Sequence, residues 1–193
     1  MSKSEDIEHI DSIRLKTDRL TLVAMNAELA SLQGHDPDAF FTALDAQREF
    51  AWPPAEFAHT LELADELANS KEAPGWRSWF CLLQLCEGAP KRAVGMGGFM
   101  GPPDGAGTLN LLYAFSPSFR EQGMATEAVT ALLEWAFGHD EVKRIRAFTA
   151  PHLTAPIRVL EKTGFVAVGM VNGRSAGEKL VCYERLRSAE EAA

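Results

Sequence analysis

The segment that most constrains this chain runs from Thr108 to Phe137. Thr108-Leu109-Asn110-Leu111-Leu112-Tyr113-Ala114-Phe115 is an apolar and aromatic run of strand character, and Ser116-Pro117-Ser118 breaks it. Arg120-Glu121-Gln122-Gly123 follows as a glycine-containing turn. Ala125, Val129, Leu132, Leu133, Ala136 and Phe137 then recur at helical spacing. The pattern predicts a strand over 108–115 and a helix over 121–138. A strand, a short turn and a helix start gather free backbone N–H groups at the positive end of a helix dipole, which suits a phosphate or pyrophosphate. The same pattern also serves as a plain connecting turn. It is neither G-x-G-x-x-G nor G-x-x-x-x-G-K-[ST], and no lysine follows to reach a terminal phosphate, so a dinucleotide fold and a P-loop are disfavoured.

The rest of the chain reads as alternating short elements. A first strand over 13–23 is interrupted near Thr17-Asp18. Asn26 caps a helix through Leu32, and Asp36-Pro37 caps a second through about Leu44. Phe50-Ala51-Trp52-Pro53-Pro54 is a loop, and a helix is expected over 55–70. Strands over 76–86 and 92–100 form a hairpin around Gly88-Ala89-Pro90. After the helix over 121–138 come a strand over 144–149, a helix over 154–163 ending at Gly164, and strands over 165–171 and 179–187 joined by Asn172-Gly173. This order predicts an α/β protein whose sheet has both antiparallel and parallel neighbours.

Charge and composition narrow the function. At 193 residues with 46% hydrophobic and 24% charged residues, the chain reads as one soluble domain with a polar tail over 1–12 and another over 188–193. No apolar run spans a membrane and the N-terminus lacks a signal-peptide core, so a cytoplasmic location is expected. The net charge of −8 and the absence of a basic cluster argue against nucleic acid as partner. Cys81, Cys86 and Cys182 have no metal-ligand spacing and read as reduced thiols; Cys81 and Cys86 on one strand would face opposite sides. No metal is implied.

Two segments carry a family resemblance. Arg120-x-x-Gly123-x-Ala125 matches the [RQ]-x-x-G-x-[GA] signature of the GNAT acyl-CoA N-acyltransferases, and the segment from Thr149 to Phe165, which ends in Arg158-Val159-Leu160-Glu161-Lys162-Thr163-Gly164-Phe165, is similar to that family's second cofactor segment. The chain resembles most the branch of ribosomal-protein N-terminal acetyltransferases, over residues 14–186. The resemblance implies a GNAT fold over 13–187: a mixed, mostly antiparallel sheet of about seven strands flanked by helices, with a splayed parallel pair forming the acyl-CoA cleft. It implies acetyl-CoA as co-substrate and, as acceptor, a small-molecule amine or a peptide N-terminus.

The same resemblance assigns roles. Gln122, Gly123, Met124, Ala125 and Thr126 would hold the pyrophosphate through backbone N–H groups, with Arg120 and Ser116 beside them, while Ala114 and Phe115 would offer free main-chain groups to the pantetheine arm. Leu153 and Arg158 belong to the second cofactor segment. A backbone N–H near 112–114 is the candidate donor for developing negative charge, and Glu127 is read as stabilising the helix start through the dipole. Where relatives carry Asn, Ser, a later Tyr and a strand Glu, this chain has Leu153, Pro156, Leu160 and Asn110. Tyr113 and Asn110 are the remaining catalytic candidates, and a core aromatic is the alternative for Tyr113. Trp52 reads equally as an acceptor-pocket wall or a buried loop anchor. The four departures keep a second reading open, an acyl-CoA-binding or sensor module. The final strand, Leu180-Val181-Cys182-Tyr183, is either an exposed edge able to pair with a second copy or covered within the monomer.

Overall fold

A computed structural model of the protein describes residues 11–49, 52–58, 69, 72–86, 88–173, 175, 177–189 and 191. In chain order the elements are β1 (Arg14–Lys16), β2 (Leu20–Ala24), α1 (Ala27–His35), α2 (Pro37–Ala43), β3 (Ala46–Arg48), β4 (Ser78–Leu83), β5 (Lys91–Phe99), β6 (Thr108–Phe115), α3 (Met124–Phe137), β7 (Arg144–Thr149), α4 (Thr154–Lys162), β8 (Val166–Asn172) and β9 (Lys179–Leu186). Single 3₁₀ turns lie at Ala55–Phe57 and Pro117–Phe119. The helix starts follow their caps: Asn26 Oδ1 accepts from the N–H of Leu29, and Asp36 Oδ1 from that of Ala39.

The strands form one sheet in the order β1-β2-β4-β5-β6-β7-β9-β8, with β3 on β5. The β6–β7 and β3–β5 pairs are parallel and every other pair is antiparallel. Alternation along the strands splits the core in two. On one face Leu22, Trp79, Cys81, Val94, Leu109, Leu111 and Phe115 pack with α3. On the other Val23, Phe80, Leu82, Ala93, Met96 and Ala114 pack with Leu29, Phe40 and Phe41 of α1 and α2. Buried on both faces, β4 reads as one continuous apolar run. Where α3 crosses β5 the strand presents Gly97, and a Cβ there would stand 2.9 Å from Leu132 Cδ1.

The parallel pair is short. Thr108, Leu109 and Asn110 pair with Arg144, Ile145 and Arg146, and no further residue of β6 pairs with β7. Beyond Asn110 the strands part, β6 staying on β5 and β7 on β9. The gap opens at the end of β6 that runs into the turn before α3.

Several expectations change. The sheet has nine strands rather than about seven; three-residue β1 and β3 are too short to show a periodicity of their own. Helix α3 begins at Met124 rather than 121, because Glu121 (φ 62°) and Gly123 (φ 79°) are left-handed and cannot continue a right-handed helix. Cys86 lies past the end of β4 and is exposed, whereas Cys81 is buried. The final strand is covered: β9 sits between β7 and β8, and β8 is the edge. The helix expected over 55–70 lies outside the described residues, apart from the turn at Ala55–Phe57 and residues 58 and 69. Among the described residues no helix is long and apolar enough to cross a membrane.

Candidate functional site

The turn between β6 and α3 is a concave run of backbone donors. Gly123 is the N-cap of α3 and supplies no side-chain cap. Its carbonyl accepts from the N–H of Glu127, and among the described residues no acceptor meets the N–H groups of Gln122, Gly123, Met124, Ala125 and Thr126. Left-handed residues at 121 and 123 stand on either side of Gln122, and turns with left-handed residues beside a helix start favour an anion. A Cβ on Gly123 would meet nothing closer than Arg19 Nη2 at 3.5 Å, so the space over the turn is open. Beside it, Ser116 is buried and its Oγ has no hydrogen-bond partner among the described residues.

The turn is held by its own side chains. Arg120 folds back and its Nε donates to the Phe115 carbonyl over 2.8 Å, and its Nη2 stands 3.7 Å from Glu56 Oε1. Gln122 Nε2 donates to the Ser118 carbonyl over 3.1 Å. Met124 is buried, whereas Ala125 and Thr126 are half-buried in the first helical turn.

Glu127 does more than lean on the helix dipole. Its carboxylate accepts from the Thr17 hydroxyl, the Arg19 N–H at 2.8 Å and Arg19 Nε at 2.7 Å, and pairs with Arg19 Nη2 at 2.7 Å. Arg19 Nη1 donates in turn to the Gln122 carbonyl over 2.8 Å. Burial pushes the Glu127 carboxyl up, but the hydrogen bonds from Thr17 and Arg19 outweigh it and hold the group below the usual carboxylate range. Thr17 and Arg19 lie more than 100 residues before Glu127, and no spacing in the sequence links them.

Register decides which main-chain groups of β6 face the gap. The Asn110 carbonyl accepts from Met100 N–H, and Ser116 N–H donates to the Val94 carbonyl. Residues 112 and 114 share that parity and pair with Gly98 and Met96, so their polar groups turn to β5. Ala114 was expected to offer free groups; the odd positions Tyr113 and Phe115 face the gap instead, and the Phe115 carbonyl is taken by Arg120.

The remaining candidates do not all converge on this gap. Tyr113 sends its ring toward α4, and its hydroxyl donates to the Pro156 carbonyl over 3.0 Å. Burial pushes its phenol well above the usual range, so it is protonated at neutral pH. Asn110 is half-buried and lies across from Arg146, whose Nε donates to Glu184 over 2.8 Å. Leu153 is the N-cap of α4 and provides no cap hydrogen bond, and Arg158 is exposed on that helix. Trp52 packs against Phe41 and Phe80 with ring centroids 5.9 and 6.3 Å away, and its Nε1 is buried without a partner among the described residues. It is therefore anchored in the second core cluster. Burial holds Cys81 far above the usual thiol range, so it is no nucleophile. Among the described residues no group of His, Cys, Asp and Glu could hold a metal ion.

Comparison with known proteins gives the family. The family model described as an acetyltransferase (GNAT) domain matches residues 26–166. The curated protein named "Uncharacterized N-acetyltransferase YjdG", from Bacillus subtilis (strain 168), is 27% identical over 172 residues, covering 89% of this chain and 98% of that protein. Among solved structures, RimL, a ribosomal L7/L12 alpha-N-protein acetyltransferase in complex with coenzyme A, superposes with a TM-score of 0.63 at 14% identity, covering 94% of this chain and 100% of its own. A spermidine N-acetyltransferase SpeG chimera from Vibrio cholerae and hSSAT gives a TM-score of 0.61 at 14% identity, covering 88% and 96%. At these identities the two structures establish the shared fold.

Proposed function

The chain belongs to the GNAT acetyltransferase family, acyl-CoA-dependent acyltransferases, and from that premise we propose that it moves an acetyl group from acetyl-CoA to a primary amine of a small molecule or a protein N-terminus. The observation that carries this reading is the run of N–H groups from Gln122 to Thr126, without an acceptor among the described residues, on a turn with two left-handed residues.

The residues present fit the co-substrate. The diphosphate would be held by the N–H groups of 122–126, with the orphaned Ser116 hydroxyl and the outer guanidinium nitrogens of Arg120 as further donors. The main-chain groups of Tyr113 and the N–H of Phe115 would align the pantetheine arm as an added strand does. Leu153 and Arg158, at the start and on the open face of α4, would border its other side. Acetyl-CoA supplies an activated acyl group as a thioester. The chain's part is to hold that group and the amine together, which accounts for a large share of such rates, and to aim a donor such as the Tyr113 N–H at the carbonyl oxygen.

The Asn110 carboxamide does not titrate near neutral pH, so its role is to orient the amine or a water by hydrogen bonding. Tyr113 is available only as an acid, and its proton is engaged by Pro156, so we place it first as a positioning residue. The three cysteines are unpaired, which suits the reducing cytoplasm. The test is calorimetric titration with acetyl-CoA and CoA, followed by thiol release with polyamines and N-terminal peptides as acceptors. Saturable binding and thiol release are expected. Absence of binding at millimolar concentration overturns the reading, and binding without release across the amine panel favours a sensor.

A further inference from the structure

The turn between β1 and β2 lies against the anion cradle, although neither motif of the sequence includes it. Its Arg19 is bonded on two sides: Nε and Nη2 to the Glu127 carboxylate, and Nη1 to the Gln122 carbonyl. Gln122 is the residue between the two left-handed positions that shape the donor run. Glu127 lies one residue past the last unpaired N–H, at Thr126, so a bound anion and this carboxylate share the same helical turn. Left uncompensated, that negative charge would oppose a diphosphate at the start of α3. The Arg19 side chain stays 44% exposed, with Nη2 3.5 Å from the Cβ position of Gly123, so its positive charge lies over the open space.

We propose that Arg19 is a positioning residue of the diphosphate site: it fixes the Arg120–Gly123 turn through the Gln122 carbonyl and cancels the charge of Glu127 where the anion docks. This rests on the acyl-CoA reading above. It adds a residue about one hundred positions upstream of the signature to the machinery that binds the co-substrate. The β1–β2 turn thereby couples the sheet edge to the cofactor loop. Thr17 completes the clamp by donating its hydroxyl to Glu127.

The charge role separates from a purely structural one through the ligand used. S-acetylpantetheine carries the thioester and arm without the diphosphate. In the full-length protein, Arg19→Gln is expected to raise the Kd for CoA about tenfold or more and the KM for acetyl-CoA in parallel, with kcat within about threefold of wild type. The KM for S-acetylpantetheine stays unchanged. Adding Glu127→Gln to Arg19→Gln recovers at least half of the lost affinity on a logarithmic scale, since the opposing carboxylate is gone. Arg19→Lys, which keeps the charge, loses less than Arg19→Gln and serves if the latter folds poorly. CoA affinity of Arg19→Gln within twofold of wild type overturns the proposal, as does equal loss toward both thioesters or no recovery in the double variant. If the wild-type protein itself binds no CoA, the acyl-CoA reading fails and this proposal fails with it.

Discussion

The hydroxyl of Tyr113 donates to the carbonyl of Pro156 over 3.0 Å, tying β6 to the first turn of α4 on the side where β6 and β7 part. The bond fixes how far α4 stands from the strand that would align the pantetheine arm. Tyr113→Phe removes it and leaves the ring packed. A hydrogen bond of this kind contributes about 0.5–1.5 kcal/mol net, so the melting temperature should fall by a few degrees, about 2–4 °C per kcal/mol at this size. With a positioning role alone, kcat stays within about threefold. Paired melting curves and kinetics check this; a hundredfold fall in kcat at an unchanged melting temperature would make Tyr113 the proton donor instead.

Gly123 allows the left-handed turn and leaves open the space proposed for the diphosphate. With φ at 79°, any L residue there is strained by about 1–2 kcal/mol. Gly123→Ala should therefore weaken CoA binding modestly, since its Cβ finds only Arg19 Nη2 at 3.5 Å. Gly123→Glu adds bulk and a carboxylate within the donor run, and should weaken binding by about a hundredfold or more. Calorimetry on both variants decides it, and full affinity in Gly123→Glu would move the site elsewhere.

What was legible in the sequence was local. The end of β6 follows from Ser116-Pro117, β7 alternates polar and apolar residues over most of its length, and the starts of α1 and α2 follow from Asn26 and Asp36, which bond three residues ahead. The donor run proposed above as an anion cradle stood out in the sequence because its residues, Gln122 to Thr126, are consecutive. The assignment of Ala114 failed on a single register step: in a strand, main-chain groups alternate sides, and only the partner bond of Asn110 with Met100 sets the parity. The Arg19–Glu127 pair was invisible for another reason. Its partners meet only after the sheet has brought β2 beside α3, and Glu127 alone reads as an ordinary first-turn acid. Likewise, that β8 rather than β9 is the edge depends on β9 inserting next to β7.

The clamp on Glu127 has an acid limit. Its folded pKa lies below its unfolded value near 4.3. Between the two, the unfolded chain binds the extra proton, so stability rises with pH there. The contribution is complete above the unfolded value and is lost as pH falls through the folded one. Glu127→Gln should therefore be less stable than wild type at pH 7, and the difference should shrink toward pH 3. Urea midpoints at several pH values check this; a difference independent of pH would mean that packing rather than charge holds the β1–β2 turn to α3.

The position of α3, and with it the cradle at its start, depends on a notch in β5. Leu132 is fully buried and its Cδ1 fills the space that a side chain on Gly97 would take. Leu132→Ala empties that space and should cost about 2–5 kcal/mol, as large-to-small changes in cores do. Gly97→Val does the opposite: its methyl groups meet Leu132, and close packing leaves α3 only outward movement, at about 1–3 kcal/mol. The two variants can lose similar stability and still differ in function. The cavity leaves the helix start where it is, whereas the overpacked strand pushes the helix that carries the Met124, Ala125 and Thr126 donors. CoA affinity should thus fall about tenfold in Gly97→Val and stay within about threefold in folded Leu132→Ala. Calorimetry below the melting temperature of each variant tests this, and equal affinities would show that the cradle is held by its clamp to β1–β2 and not by the seat of α3 on the sheet.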